Sequence, residues 1–329
     1  MNIFLSKENY LLDLVKKFPE MLNEKKLIIF LIDGLGLINL HLPFLKKHIY
    51  RTFFPSSTPT FLYSFHSLLE PRKHGFLEWF MRFKILKKPI IIPLWTTIEE
   101  KKLELKRKDI FPFKSLSEIL YEKGFSSCYY TPFADRSFTR MTSKKAKVIK
   151  IRYLSQIFPL AKEDFVFIYW PSSDEILHEN FQNECFEIDK KFLEFFIKIL
   201  YQRMPRKSRL IVFSDHGQTR INKRYKLPMI DGYPVGGSRV AFYKGEKEKI
   251  EKKLKEKKIP ASVYELEELE NFKGKINKRC KENFGNIIVI AKENIGFNYP
   301  FEKHPSSLIG AHGGLSKEEM FVNVWVGEK

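Results

Sequence analysis

Four segments of the sequence place acidic, hydroxyl or imidazole residues directly after an apolar run. They are LIIFLIDGLG, DFVFIYWPSSDEILH, LIVFSDHGQ and, less cleanly, HPSSLIGAHGG. Continuous apolar runs are typical of buried parallel strands, and open α/β sheets bind ligands at the carboxyl ends of such strands. We therefore expect the polar residues that follow these runs to converge on one cleft.

The polar residues in these segments are of the types that bind a divalent metal. Asp174 and His178 have the i, i+4 spacing that puts paired ligands on one helix face. Taken singly, each residue could equally form a turn, a loop or a helix-surface pair. Together they could make two catalytic sites of three ligands each, with coordination positions left open. The six candidate ligands are Asp33, Asp174, His178, Asp215, His216 and His312.

A candidate nucleophile lies in FFPSSTPT, residues 53–60. Pro55 and Pro59 bracket the three hydroxyl residues Ser56, Ser57 and Thr58, and each proline restricts the backbone φ angle there. A hydroxyl attacks poorly at neutral pH unless a metal or a base activates it. The alternative is an ordinary turn or helix cap.

The remaining pattern alternates apolar runs with amphipathic stretches, which indicates an α/β sandwich. A stretch at about 218–307 is interpreted as a small inserted α+β lobe. The predicted helices are 113–123, 187–202 and 246–257. The predicted strands are 26–32, 89–93, 126–130, 165–169, 210–213, 239–243, 286–290 and 321–326.

Composition excludes some classes of protein and leaves one question open. The 43% hydrophobic and 15% aromatic content argues against disorder, and three scattered cysteines argue against a disulfide framework. We expect a cytoplasmic protein, because the sequence contains neither a recognisable secretory signal nor an apolar run long enough to span a membrane. The net charge of +19 fits either nucleic-acid binding or a solvated Lys/Glu surface, and the mixed charge runs favour the latter.

The ordered motifs resemble those of a known family. The series IDGLG, FPSSTPT, PRKHG, Asp-x-x-x-His, SDHG and AHGGLSKEEM is similar to the type I phosphodiesterase and nucleotide pyrophosphatase branch of the alkaline phosphatase superfamily, over about residues 26–326. The resemblance implies an alkaline-phosphatase-like three-layer sandwich with a mostly parallel central sheet. It implies one catalytic domain over residues 1–329, with the inserted lobe within it.

The same resemblance implies roles for the site residues. Thr58 would be the nucleophile, forming a covalent phosphothreonine, with two divalent metal ions as cofactors. Zinc is favoured over manganese or iron. One metal would be held by Asp33, Asp215 and His216, and the other by Asp174, His178 and His312.

One departure from the family pattern bears on the substrate. Where related diesterases carry an asparagine that binds a phosphoryl oxygen, this chain has Trp79, a weak candidate for substrate binding. No cation flanks Thr58 in sequence, so a monoanionic diester or anhydride is expected over a dianionic monoester. Arg136, Arg140 or Arg239 could still fold into the cleft.

Several alternatives stay open at this point. A phosphomonoesterase, sulfatase or phosphonate hydrolase of the same superfamily would use the same ligands, and a phosphotransferase would use another acceptor than water. A non-catalytic nucleic-acid-binding protein would explain the charge but not the ligand set. The expected partner is a small anionic phosphate ester, with no membrane partner; the sequence leaves the oligomeric state open.

Overall fold

A computed structural model describes residues 9–83, 86–304 and 306–329 of the chain. A seven-stranded sheet lies at the centre, in the order β2-β18-β9-β1-β8-β6-β7. Strands β9, β1, β8, β6 and β7 run parallel, and β18 pairs antiparallel with β9 and β2. Its strands are β1 (Lys26–Ile32), β2 (Lys46–Arg51), β6 (Ser127–Thr131), β7 (Lys147–Lys150), β8 (Phe165–Trp170), β9 (Ser208–Phe213) and β18 (Phe321–Glu328). The predicted mostly parallel sheet is confirmed.

Helices cover both faces of this sheet. The helices of the described residues are α1 (Leu11–Lys16), α2 (Phe18–Met21), α3 (Thr58–Ser67), α4 (Pro71–His74), α5 (Arg107–Ile110), α6 (Leu116–Glu122), α7 (Ser137–Thr142), α8 (Ser172–Asn180), α9 (Glu184–Arg203), α10 (Lys247–Glu256), α11 (Lys278–Asn283) and α12 (Lys317–Met320), with 3₁₀ turns at Leu154–Ile157, Leu266–Glu268 and Glu270–Phe272. In the described parts of the chain, no helix is both long and apolar enough to cross a bilayer.

The alternation of side chains along β1 explains the three layers. Ile28, Phe30 and Ile32 pack into a core with residues of α9. Leu27 and Leu31, on the other face, pack into a core with residues of α1, α3 and α6. Because successive strand side chains point to opposite faces, a strand that is apolar throughout must be covered on both sides.

A second sheet stands apart from the first, in the order β14-β15-β13-β12-β3-β4-β5. Its strands are β3 (Phe80–Met81), β4 (Ile90–Ile91), β5 (Thr96–Thr97), β12 (Val235–Gly236), β13 (Val240–Tyr243), β14 (Ala261–Glu265) and β15 (Ile287–Ala291). The two-stranded pairs β10–β17 and β11–β16 are formed by Thr219–Arg220 with Gly310–Ala311 and by Lys223–Lys226 with Ile295–Asn298. The second sheet draws on residues 80–97 as well as 235–291, and the lobe boundary at about 218–307 stays a prediction.

The eight predicted strands and three predicted helices are all present, with ends shifted by a few residues. Edge strands β2 and β7 were missed. Their sequences, KKHIYR and KVIK, contain exposed residues, no fully buried residue and no long apolar run. Such strands are defined by the partner that they pair with, here β18 and β6.

Candidate active site

Five connections place the predicted site residues at one edge of the central sheet. Asp33 follows β1, Asp174 lies in the first turn of α8 after β8, and Asp215 and His216 follow β9. His312 follows β17, whose pairing with β10 joins its loop to the segment after β9. Thr58, which begins helix α3, faces them. The convergence expected from the apolar runs is therefore present.

The Thr58 hydroxyl lies between two of the candidate ligands. Its Oγ1 is 3.2 Å from Asp33 Oδ1 and 3.0 Å from His216 Nε2. Nε2 of His216 is also 3.5 Å from Asp33 Oδ1 and 3.4 Å from Asp215 Oδ2. The imidazole nitrogen of His216 thus lies within 3.5 Å of the Thr58 hydroxyl and of one carboxylate oxygen each from Asp33 and Asp215.

A second group of ligands lies next to the first. Asp174 Oδ2 is 3.3 Å from His178 Nε2, and these residues with His312 present ligand atoms that all lie within 4.8 Å of one another. Asp174 also clusters with Asp33 and His216 by the same measure, so it lies between the two groups. The ring centroids of His216 and His312 are 3.9 Å apart.

All three histidines are oriented by the backbone in the same way. Nδ1 of His178 lies 2.8 Å from the Gly310 carbonyl, and Nδ1 of His312 lies 3.1 Å from the Ser56 carbonyl. Nδ1 of His216 lies 3.2 Å from the carbonyl of the next residue. A carbonyl only accepts, so each Nδ1–H donates, and in the neutral form of each ring the Nε2 lone pair is directed toward the site. Metal-ligating histidines are held in this way.

The electrostatics of the carboxylates fit divalent cations. Burial and the negative charges of Asp215 and Asp174 raise the pKa of Asp33 well above its usual range. Burial also raises the pKa of Asp215, although His216 opposes the shift. The buried Oδ2 of Asp215 has no hydrogen-bond partner among the described residues. Carboxylates packed this closely need positive charge between them, and an Asp/His donor set without cysteine suits zinc or a harder divalent ion.

The third carboxylate, Asp174, behaves differently. Removal from water would raise its pKa, but the charge and hydrogen bond of His178 outweigh this and hold the pKa well below its usual value. The same pairing raises the pKa of His178 against the opposing effect of burial. Burial and the neighbouring His216 hold the pKa of His312 far below its usual value. His312 is therefore neutral and its Nε2 lone pair is available.

Two neighbours of the ligands were missed in the sequence. Tyr169, within the apolar run of β8, donates its hydroxyl hydrogen to Asp33 Oδ2. Gln218 Nε2 donates to Asp174 Oδ1 at 2.5 Å. A tyrosine at the end of an apolar strand beside a candidate site is a signal that could have been used, because a buried tyrosine hydroxyl normally has a partner.

A cavity of about 500 Å³ opens beside Thr58. Its wall contains Asp33, Asp174, His178 and His312 from the site, and Trp79 lies in the same wall with 40% of its surface exposed. Most of the rest is apolar or aromatic, including Leu62, Tyr63, Phe80, Ile92, Phe133, Phe138, Phe167 and Tyr299. The cavity can therefore take a large apolar or aromatic substituent next to Thr58.

The arginines that could enter the cleft differ in where their side chains lie. Arg136 does line the cavity. Arg239, a second candidate, instead forms a buried ion pair with Glu319, with Nε 3.2 Å from Oε1. Glu78, Glu175 and Glu302 also line the cavity, so its wall carries no excess of positive charge to attract a substrate with several phosphates.

Comparison with known proteins agrees with this geometry. A model of the type I phosphodiesterase / nucleotide pyrophosphatase family matches residues 27–315. The chain belongs to this family. The family assignment confirms the resemblance seen in the motifs and the expectation of a hydrolytic enzyme of this class. A search of curated proteins found no match.

Solved structures of family and superfamily members share the fold. Murine ectonucleotide pyrophosphatase/phosphodiesterase 5 is similar with a TM-score of 0.69 at 19% identity, over 93% of this chain and 88% of that chain. An inactive variant of that murine protein, in complex with AMP, gives 0.68 at 19% identity, over 92% and 87%. Phosphonoacetate hydrolase from Sinorhizobium meliloti, in complex with phosphonoacetate, gives 0.65 at 12% identity, over 93% and 91%. The alkaline-phosphatase-like sandwich predicted from sequence is thereby confirmed.

Proposed function

We propose that this family member is a metal-dependent hydrolase of phosphodiester or phosphoanhydride bonds that acts through a covalent phosphothreonine at Thr58. One observation carries the proposal: the Thr58 hydroxyl lies within hydrogen-bonding distance of Asp33 and His216, in the wall of a cavity that can hold a substrate. Ser57, the adjacent hydroxyl, is buried against Thr60 instead.

The residues would bind and orient the reacting groups. Asp33, Asp215 and His216 would hold one divalent cation near Thr58, and Asp174, His178 and His312 would hold another. When bound, such cations lower the pKa of a coordinated hydroxyl and stabilise charge on the phosphoryl and leaving oxygens. The imidazole and carboxylate ligands favour zinc, with manganese and iron as the alternatives to be tested.

The chain itself would direct two in-line displacements. Thr58 Oγ1 gives up its proton and forms a bond to phosphorus, while the bond to the leaving oxygen breaks on the opposite side and that oxygen takes up a proton. Water then attacks the same phosphorus, the bond to Thr58 Oγ1 breaks, and Thr58 regains a proton. Helix α3 begins at Thr58 and has Pro59 in its first turn, so the N–H groups of Thr58 and Thr60 are the ones that would favour an anionic group there.

The cavity wall supports a substrate with one negative charge on the transferred group. Arg136 is matched by several acidic side chains, and the Trp79 indole could offer a single donor. A dianionic monoester would need more positive charge than this wall supplies beyond the cations. We therefore propose a small anionic diester or anhydride as substrate, with hydrolysis favoured over transfer to another acceptor. A cytoplasmic location stays a prediction, and a nucleic-acid partner stays an alternative that is not favoured.

A substrate panel with controlled metal content tests this function. An aryl phosphodiester, the matching monoester, a sulfate ester and a phosphonate are assayed after chelation and after adding back zinc, manganese or iron. We expect about two metal ions per chain by elemental analysis, activity that chelation abolishes, and a higher kcat/KM for the diester. A tenfold advantage of the monoester, about 1.4 kcal/mol, would contradict the diester preference, and activity without metal would contradict the function.

A further inference from the structure

One buried acid beside the cavity belongs to neither ligand set. Glu78 lies directly before Trp79 and β3, lines the cavity, and is 1% exposed. Its backbone has a φ of 57°. That conformation costs a non-glycine residue about 1–3 kcal/mol and persists where the surroundings over-determine it. The strain marks Glu78 as a residue held in place by its contacts.

Those contacts form a polar ring around the start of α3. The Glu78 backbone N–H donates to Thr60 Oγ1 at 3.3 Å, and Thr60 Oγ1 lies 3.0 Å from Ser57 Oγ. The Trp79 N–H and the Ser57 hydroxyl lie near the Glu78 carboxyl, whose Oε1 has no hydrogen-bond partner among the described residues. Two members of the ring therefore lie close to Thr58 in sequence: Ser57 directly before it and Thr60 two residues after it.

Glu78 also touches the loop that carries a metal-ligand candidate. A Cβ added to Gly313, the neighbour of His312, would lie 2.4 Å from Glu78 Oε1, and one added to Gly237 would lie 2.0 Å from Oε2. The carboxyl therefore fills the space between the nucleophile turn, the 312–314 loop and the second sheet. Side chains at either glycine would displace it.

The charge state of Glu78 suits a position near an anionic substrate. Burial, and then the negative charge of Glu319, raise the pKa of Glu78 to about 8, while the Trp79 N–H and Ser57 oppose the shift. Arg239 pairs with Glu319. Burial, and then the negative charge of Glu78, raise the pKa of the nearby Tyr299 hydroxyl. At neutral pH the carboxyl is mainly protonated and adds little repulsion.

We propose that Glu78 is a positioning residue, whose ring with Ser57 and Thr60 holds the Thr58 hydroxyl in the orientation for attack. The proposal rests on Thr58 being the nucleophile. A misplacement of about 1 Å can cost 10²-fold in rate, so loss of the ring should act mainly on kcat.

The test compares Glu78→Ala with Glu78→Gln, which is uncharged and keeps a carbonyl oxygen that can accept from Ser57. With an aryl diester and added metal, we expect kcat of Glu78→Ala to fall roughly 10- to 100-fold, with KM and metal content little changed. Glu78→Gln should recover most of that loss. Glu100→Ala is the matched control, since Glu100 is an exposed glutamate with a similar φ of 61°, and its kcat should stay at the wild-type value.

A double-mutant cycle separates positioning from general destabilisation. Thr60→Val removes another member of the ring, so its effect on kcat should be non-additive with that of Glu78→Ala. Additive effects, or wild-type kcat in Glu78→Ala, would overturn the proposal. If Glu78→Ala does not fold, Thr60→Val alone decides: a lower kcat at unchanged KM supports the ring, and a wild-type kcat rejects it. Activity retained by Thr58→Ala would instead reject the proposed function.

Discussion

Three consecutive hydroxyls, on Ser56, Ser57 and Thr58, compete for the role of nucleophile. Ser56 Oγ donates to the Gly314 carbonyl at 2.9 Å, and Ser57 Oγ is occupied by Thr60. Only the Thr58 hydroxyl, among the three, lies between candidate metal ligands and in the cavity wall. Its two neighbours are thus occupied within the turn, which supports Thr58 as the proposed nucleophile.

Replacement of Thr58 tests this assignment. We expect Thr58→Ala to lower kcat by roughly three powers of ten or more, about 4 kcal/mol in activation free energy, because the covalent step is lost. Thr58→Ser keeps a hydroxyl and should retain much of the activity. Steady-state kinetics on an aryl diester, with metal content and melting temperature as controls, measure both. A crippled Ser57→Ala beside a mild Thr58→Ala would move the nucleophile by one residue.

The residues that could be predicted from sequence are those with a local signal. Asp174 and His178 share a helix face, and Asp215 and His216 follow an apolar run, so both pairs could be recognised. Glu78 could not, because its partners lie 18 and more residues away and its positive φ leaves no mark in the sequence. The division of the six ligands between two metals stays a prediction, since Asp174 lies near both groups.

At the scale of elements, the turn after β1 must let two acids approach each other. Gly34 has a φ of 71°, and a Cβ there would lie 2.5 Å from Asp174 Oδ1 and 2.8 Å from Asp174 Cα. The first turn of α8 therefore packs directly on the glycine. This contact brings Asp174 to the carboxyl end of β1, where Asp33 lies.

Gly34→Ala should consequently damage the site as well as the fold. We expect lower metal content and lower kcat, with stability reduced by the strain of a positive φ and by the clash. Gly124→Ala is the control, because Gly124 has a φ of 85° and nothing within 4 Å of its added Cβ. Gly124→Ala should lower the stability and leave metal content and kcat unchanged. Equal metal content and kcat in the two variants would show that the close approach is unimportant.

Elements with long apolar runs could be predicted, whereas short or exposed ones could not. Strand β1 is buried along nearly all its length, so its continuous apolar run marks where the strand begins and ends. Strand β3 is two residues long, and Phe80 pairs with Ile91 of β4 on one side and with Gly236, over 150 positions away, on the other. The second sheet therefore includes residues 80–97, of which the sequence pattern indicated only the strand at 89–93.

At the scale of the whole molecule, buried histidines link stability to pH. His74 accepts from the Phe76 N–H at Nδ1, 3.1 Å away, and its Nε2 lies 2.9 Å from Ser64 Oγ. The neutral ring satisfies both contacts, and a second proton would break the first. Burial, with the charge of Arg279, lowers the pKa of His74 to about 3, and burial lowers that of His66 to about 3.

Acid should therefore destabilise the fold. A pKa that is lower in the folded than in the unfolded chain gives stability above about pH 6.5, which is lost as the pH falls toward 3. We expect His74→Asn to reduce the slope of unfolding free energy against pH, between pH 6 and 4, by up to about 1.4 kcal/mol per pH unit. Urea unfolding at each pH measures this. The exposed His41, replaced in the same way, should leave the slope unchanged; an unchanged slope in His74→Asn would reject the account.

The central claim, a covalent intermediate on Thr58, is tested most directly by the stereochemical course at phosphorus. A phosphodiester that is chiral at phosphorus, because sulfur replaces one non-bridging oxygen, is hydrolysed in water labelled with an oxygen isotope. The configuration at phosphorus in the product is then determined. Each in-line displacement inverts phosphorus, so attack by Thr58 followed by attack by water predicts net retention. Net inversion would mean a single displacement by water and would contradict the covalent mechanism.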